Sequence, residues 1–227
     1  MALRKRGDFS DAVKCYDRAI DIDPKYSAAY SNKGVALRKQ NDFTRAVKCY
    51  DMALELDPRD SITYFNKGEA LSKLGEIDHA LECYDYSLRI DPHSKLANFK
   101  KAAILRERGD YAAAIACYDN ILELDPGDIV AFGNKGESLS KQGSYEQAIE
   151  CFDEAILVDP RNSTIHSMKG VVLLQRGEYG SAIECFNTAL EINPQCGHAY
   201  VNKGFALEKV RAEQRATREQ RSLRKKT

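Results

Sequence analysis

The sequence predicts an all-α solenoid of antiparallel helix hairpins, and two periodic features carry this prediction. The six prolines, each preceded by Asp or Asn, follow one another at intervals of 34 residues, as do six of the seven cysteines. A period of 20–50 residues is typical of repeat arrays. The regular cysteines are Cys15, Cys49, Cys83, Cys117, Cys151 and Cys185. Because metal ligands cluster within a few residues of one another, this spacing favours one buried packing position over a metal site or a disulfide framework.

The period divides the chain into repeats. With each proline at position 32, the complete repeats are 27–60, 61–94, 95–128, 129–162 and 163–196, with partial repeats at 1–26 and 197–210. Residues 1–210 are therefore predicted to form the array, and residues 211–227 a basic helical extension. Because the first repeat lacks most of its first helix, the sequence could be a fragment of a longer array, or its open end could pack on another copy.

Each repeat has the pattern of two helices, as residues 129–162 illustrate. Apolar and small residues at helical spacing predict a first helix over about Ile129 to Gln142 and a second over about Tyr145 to Val158. Gly143 is expected to end the first helix, and Asp159-Pro160 the second.

Small residues recur inside both helices. Glycine stands in five first helices, at Gly34, Gly68, Gly136, Gly170 and Gly204, although it costs about 1 kcal/mol relative to alanine. Each second helix has alanine followed four residues later by Tyr or Phe, as in Ala46 and Tyr50. This pattern predicts small-against-large packing of each hairpin onto the next.

The order of aromatic, Gly, Leu, Ala-x-x-x-aromatic and Pro resembles the tetratricopeptide repeat over residues 1–210. The resemblance implies a right-handed superhelix whose first helices line a concave groove for another protein. One departure is lysine at position 7 of every repeat, where the family usually has leucine, and for it we expect a buried stem and a carboxylate partner such as Asp51 or Asp85. A second is the irregular repeat 95–128, where we expect a local change in hairpin packing.

In this family, positions 2, 5, 6, 9, 12 and 13 of each repeat usually face the ligand. Position 6 is Asn32, Asn66, Asn134 and Asn202, with Lys100 and Met168 in the other two repeats. Such a row could pair with the backbone of an extended peptide, which resembles the asparagine ladder in the repeat domain of O-linked N-acetylglucosamine transferase. Alternatively, each asparagine only hydrogen-bonds the neighbouring hairpin.

Apolar and basic residues fall at the other groove positions. The predicted apolar patch is Ile62, Phe65, Leu96, Phe99 and Val130, unless the two phenylalanines fill gaps between hairpins. The predicted basic lining is Arg38, Lys39, Lys73, Lys100, Arg106 and Lys141, opposed by Glu69, Glu107 and Glu137. The slight basic excess favours a ligand with some acidic character. We do not predict the family's clamp for a C-terminal carboxylate, because Ser31 and Val35 replace its Lys and Asn.

These features predict a non-catalytic protein-binding scaffold without cofactor or metal. The sequence has neither a glycine-rich phosphate loop nor clustered histidines, and it has no membrane span or apolar signal segment, so we expect a cytoplasmic protein.

Net charge is zero, but residues 211–227 carry seven basic and two acidic side chains. Two alternatives remain: a regulatory or targeting module of a larger enzyme, and contact of the basic tail with nucleic acid or an anionic surface. The incomplete first hairpin could also promote self-association.

Overall fold

The computed structural model describes the backbone of residues 2–224 and the side chains of residues 9–221. Within that range the chain forms twelve α-helices and no strand. It falls into two compact units, Met1–Ile104 and Leu105–Thr227, called here the N-terminal and C-terminal units. Their boundary lies inside a helix of the irregular repeat; the packing change expected there stays a prediction. The last residues of the predicted basic extension, 225–227, lie outside the described range.

The helices alternate between first and second helices of successive repeats. In the N-terminal unit they are α1 (Ala2–Ile22), α2 (Ser27–Lys39), α3 (Phe43–Leu56), α4 (Ser61–Leu74) and α5 (Ile77–Ile90), and α6 (Lys95–Glu107) crosses the boundary. The C-terminal unit continues with α7 (Tyr111–Leu124), α8 (Ile129–Gln142), α9 (Tyr145–Val158), α10 (Ser163–Arg176), α11 (Tyr179–Ile192) and α12 (Gly197–Arg224). The helix bounds predicted for repeat 129–162 are confirmed by α8 and α9.

Local chemistry fixes where the helices begin and end. The Asp128 carboxylate caps α8 by accepting a hydrogen bond from the backbone N–H of Ala131 at 2.7 Å. Gly143 ends α8 in the left-handed conformation at φ 88°, as expected for a glycine after a helix. Asp159 ends α9, and its side chain accepts from the backbone N–H of Arg161, beyond Pro160. The turn residues thus set the 34-residue period.

An aromatic ring on the second helix closes each regular hairpin. A Cβ atom placed on Gly34 would lie 2.5 Å from Tyr50 Cε1, and one on Gly136 would lie 2.7 Å from Phe152 Cε1. The prediction that this small-against-large packing joins successive hairpins is wrong, because each ring covers the glycine of its own hairpin. The glycine and the ring lie eight residues before and after the tight turn, so folding at the turn brings them face to face.

Ion pairs join five of the second helices, α1, α3, α5, α7 and α9, to the first helix of the next repeat. The lysine at position 7 of the first helix reaches the aspartate sixteen residues earlier at 2.5–2.6 Å. The five pairs are Lys33–Asp17, Lys67–Asp51, Lys101–Asp85, Lys135–Asp119 and Lys169–Asp153. The predicted carboxylate partners are therefore confirmed. Each lysine is only 20–26% exposed, in keeping with a buried stem and a charged tip at the surface.

The regular cysteines lie next to these ion pairs. Burial raises the pKa of the Cys83 thiol from its ordinary value of 9.0 to about 11, although the Lys67 ammonium acts in the opposite direction. Partial burial alone would lower the pKa of Lys67, but the hydrogen bond and charge of Asp51 outweigh it and raise that pKa. The thiol is therefore held neutral and serves as a small apolar side chain.

The raised thiol pKa predicts a loss of stability in alkali. Between pH 9 and 11 the unfolded chain gives up the Cys83 proton while the native chain keeps it, so the free energy of unfolding falls as the pH rises. Below pH 9 this contribution is fully present. Urea unfolding at pH 8–11 should show a smaller decline for Cys83→Ala than for the unchanged chain. An equal decline in both would contradict burial as the cause.

Candidate protein-binding surface

The first helices of successive repeats lie side by side within each unit. Helix α2 contacts α4 in the N-terminal unit, and α10 contacts both α8 and α12 in the C-terminal unit. We call the surface formed by positions 2, 5, 6, 9, 12 and 13 of these helices the first-helix face. All of the candidate binding residues predicted from the sequence belong to it, and each unit carries its own part.

The apolar residues at position 2 are exposed on this face. Ile62 is 68% exposed and Leu96 63% exposed in the N-terminal unit, and Val130 is 62% exposed in the C-terminal unit. Phe65 and Phe99, at position 5, are half-buried instead. The Phe65 ring packs against Tyr84, with ring centroids 5.9 Å apart. The phenylalanines therefore contribute to hairpin packing as well as to the surface.

The asparagines at position 6 differ in their surroundings. Asn66 is only 8% exposed, and its Oδ1 accepts a hydrogen bond from Arg38 Nη2 at 3.3 Å. Asn134 is half-buried, and its Oδ1 accepts from Arg106 Nη1 at 2.6 Å. Asn32 is exposed, whereas Asn202 is half-buried. At Asn66 and Asn134, the amide oxygen is therefore engaged by the arginine 28 residues earlier, at position 12 of the preceding repeat.

Charged networks connect neighbouring first helices. In the C-terminal unit, Arg106 also donates to Glu137 Oε2 and hydrogen-bonds with the Tyr118 hydroxyl. Partial burial alone would lower the pKa of Arg106. The interactions with Tyr118 and Glu137 outweigh this effect, so the pKa is raised. In the N-terminal unit, Glu69 accepts from Tyr84 Oη at 2.8 Å and pairs with Lys100 Nζ at 3.1 Å.

The lysines at position 13 of the first helices are exposed, whereas Arg38 at position 12 is not. Lys39, Lys73 and Lys141 are exposed at position 13 of their helices. Arg38 is half-buried beside the Tyr50 ring, whose pKa is raised by burial, with Arg38 acting to lower it. The N-terminal unit therefore carries exposed apolar side chains and lysines on one face.

The two tyrosine hydroxyls in these networks were not predicted from the sequence. Tyr84 and Tyr118 were assigned only a packing role, as the large residues of their second helices. Their repeat partners Phe152 and Phe186 have no hydroxyl, and this difference within one repeat position was the available signal. The constant separation of 28 residues between position 12 and the next position 6 could likewise have indicated the Arg–Asn pairs.

The described residues contain neither a metal-binding cluster nor a membrane-spanning helix. That part of the chain contains no group of three or more His, Cys, Asp or Glu side chains arranged to hold a metal ion. None of its helices has the length and apolar character that crossing a membrane requires.

Comparison with family models gives matches along most of the chain. Models described as tetratricopeptide repeat match residues 65–129 and 134–195, residues 27–60 and residues 117–150, and a model described as TPR repeat matches residues 2–41. A comparison with curated proteins gave no match.

Solved structures share the fold at low sequence identity. YrrB, described as a TPR protein with an unusual peptide-binding site, is 22% identical with a TM-score of 0.74, covering 85% of this chain and 99% of that one. MamA from Desulfovibrio magneticus RS-1 is 20% identical with a TM-score of 0.66, covering 75% and 97%. The C-terminal part of a TPR repeat-containing protein from Cytophaga hutchinsonii is 14% identical with a TM-score of 0.75, covering 90% of each chain. These likenesses show the solenoid fold of antiparallel helix hairpins.

The Arg106 network yields a prediction about stability. Arg106→Met keeps most of the stem volume. It removes the donor to Asn134 and Glu137 and the hydrogen bond with the buried Tyr118. Losing a hydrogen bond to a charged group costs about 1.5–3 kcal/mol. Urea unfolding should therefore show a loss of that size. Lys141→Met, at an exposed position, is the control and should change stability by less than about 0.5 kcal/mol. Equal effects of the two substitutions would contradict the role given to the network.

Proposed function

Because the chain belongs to the tetratricopeptide repeat family, we propose that it is a non-catalytic scaffold that binds another protein on the first-helix face of its N-terminal unit. The ligand is an extended peptide or a partner helix. The observation that carries this proposal is the pair Ile62 and Leu96, which are 68% and 63% exposed one repeat apart. Large apolar side chains that recur at one position of neighbouring repeats favour a binding surface over scattered exposure.

The choice of face rests on where the exposed apolar residues occur. Position 2 is Ile62, Leu96 and Val130 in three successive repeats, but Thr164 and His198 in the two that follow. Burying an aliphatic side chain of this size on binding contributes about 1.5–3 kcal/mol. The two anchors within the N-terminal unit are therefore proposed to supply most of the affinity.

Charge on the same face points to the character of the ligand. Lys39 and Lys73 are exposed there, and Lys100 lies 3.1 Å from the single acidic residue among the predicted lining residues of this unit, Glu69. We propose a ligand with acidic side chains, because the surplus lysines would attract it and would disfavour a basic ligand.

The asparagines are proposed to contribute backbone contacts. Asn32 is exposed, so its amide can offer both a donor and an acceptor to an extended peptide. At Asn66 the oxygen already accepts from Arg38, which leaves the amide N–H groups for a ligand. In this proposal the apolar residues and lysines select the ligand, while the asparagines hold its main chain.

A pull-down from cell extract, read by mass spectrometry, tests this function. The bait Ile62→Glu/Leu96→Glu should lose on the order of tenfold or more in partner capture, because both apolar anchors are replaced by charge. Leu157→Glu is the matched control, since Leu157 is 75% exposed but lies on the second helix α9. A third bait, Asn32→Ala/Asn66→Ala/Phe99→Ala, tests the remaining face residues.

The proposal requires that the Leu157→Glu bait still captures the partners and that the Ile62→Glu/Leu96→Glu bait does not. Equal capture by all baits would contradict binding at this face. A further bait ending at residue 210 separates the alternatives. Partners that are lost only with that bait are held by the basic extension, and binding that weakens steeply with salt would identify nucleic acid.

A further inference from the structure

A cavity of about 480 Å³ opens among helices α7, α8 and α9 of the C-terminal unit. Ile115 of α7 and Phe132 and Leu139 of α8 give it an apolar wall, and Glu150 and Glu154 of α9 line it as exposed carboxylates. Its volume is within the range of pockets that bind small ligands. None of its lining residues belongs to the first-helix face, so the cavity is a separate feature of the molecule.

The same place two repeats earlier is occupied by an aromatic ring of the chain itself. Tyr64 and Tyr86 stand at the repeat positions of Phe132 and Glu154. Their rings are stacked, with centroids 5.1 Å apart and an interplanar angle of 13°. The guanidinium carbon of Arg89 lies 4.0 Å from the centroid of the Tyr86 ring. In the N-terminal unit, the ring at position 4 therefore carries a second ring, which in turn carries a guanidinium.

The Phe132 ring has no such neighbour. Glu154 replaces the stacking tyrosine, and within the described part of the chain Phe132 stacks on no other ring. Leu157, at the repeat position of Arg89, is 75% exposed. The half-buried Phe132 ring instead lines the cavity, so a flat group from outside can take the place that Tyr86 has in the N-terminal unit.

The charge around the cavity favours a cation. Lys135 is paired with Asp119 at 2.6 Å, so these two charges offset each other. Glu150 and Glu154 form no ion pair with any residue that the structure describes. Burial raises the pKa of the Cys151 thiol in the cavity wall, with Lys135 acting to lower it and all three carboxylates adding to the rise. The two unpaired carboxylates therefore act on the interior of the cavity as well as on its edge.

We propose that this cavity binds an arginine side chain of a partner protein, together with an apolar side chain beside it. A guanidinium is flat, stacks on aromatic faces and forms paired hydrogen bonds with a carboxylate. Phe132 offers the aromatic face and Glu150 and Glu154 the carboxylates, while the apolar wall contacts the neighbouring side chain. Arg89 on Tyr86 is an example of the same stacking within this chain. A lysine fits less well, because its ammonium is compact and not planar.

NMR titration with three small peptides tests the site. The probe is N-acetyl-arginyl-leucine amide, and its two controls replace arginine by citrulline, which keeps the shape without the charge, or by lysine. The arginyl probe should cause saturable shifts of the backbone amide signals of Phe132, Leu139 and Glu154. Each control peptide should bind at least about tenfold more weakly, because one lacks the charge and the other lacks the flat group.

Variants of the cavity separate its shape from its charge. Glu154→Tyr restores the arrangement of the N-terminal unit and should abolish the shifts, because a ring of the chain itself fills the place. Glu150→Gln/Glu154→Gln keeps the cavity open and should weaken binding at least about tenfold by removing both charges. Glu184→Gln is the matched control, since Glu184 is exposed at the repeat position of Glu150 but lies on α11, outside the cavity. Circular dichroism melting checks that every variant folds.

Three results would overturn the proposal: no saturable shifts with the arginyl probe in the unchanged chain, equal binding of the citrulline peptide, or equal binding by the Glu154→Tyr variant. The Ile62→Glu/Leu96→Glu variant should bind the arginyl probe as the unchanged chain does. The cavity shares no residue with the first-helix face, so a failure here leaves the ligand proposed for that face unaffected.

Discussion

The aromatic ring that lies against a glycine within each regular hairpin is the constraint on which the rest of the structure depends. Because Gly34, Gly68, Gly136 and Gly170 lack a side chain, the rings of the second helices approach the first-helix backbone closely. The rings are at most 1% exposed, so they form the centre of each hairpin. Every hairpin built in this way has the same geometry, and residues at one repeat position therefore recur in equivalent places.

The ion pairs and the binding surface follow from that repetition. Once the hairpins are uniform, a lysine and an aspartate sixteen residues apart meet at five successive steps, as Lys67 and Asp51 do. The five pairs are partly exposed, so each contributes little, about 0–1 kcal/mol, and their effect is mainly on how neighbouring hairpins align. The same alignment brings position 12 of one first helix to position 6 of the next, which creates the Arg38–Asn66 and Arg106–Asn134 contacts.

Periodicity predicted the fold because every repeat samples the same environment. Helix bounds, the turn at Gly143 and the Lys–Asp partners could be predicted from residues close in sequence or at one fixed separation. The contact between Gly34 and Tyr50 was assigned to the wrong pair of helices, since composition alone does not say which of two neighbours a ring covers. The exposures of Asn32 and Asn66 differ although their position is the same: Asn66 is buried and accepts from Arg38, whereas Asn32 is exposed. Such differences depend on neighbouring repeats and are set by tertiary packing.

A double-mutant cycle between Gly34 and Tyr50 tests the central constraint most directly. The account predicts that Gly34→Ala lowers the free energy of urea unfolding by about 1–3 kcal/mol in the unchanged chain, because the new methyl group meets the ring. In the Tyr50→Leu background the same substitution should cost less than about 0.5 kcal/mol. Gly204→Ala, where the space is open, should be neutral or stabilising by up to about 1 kcal/mol. An equal cost of Gly34→Ala in both backgrounds would contradict the account.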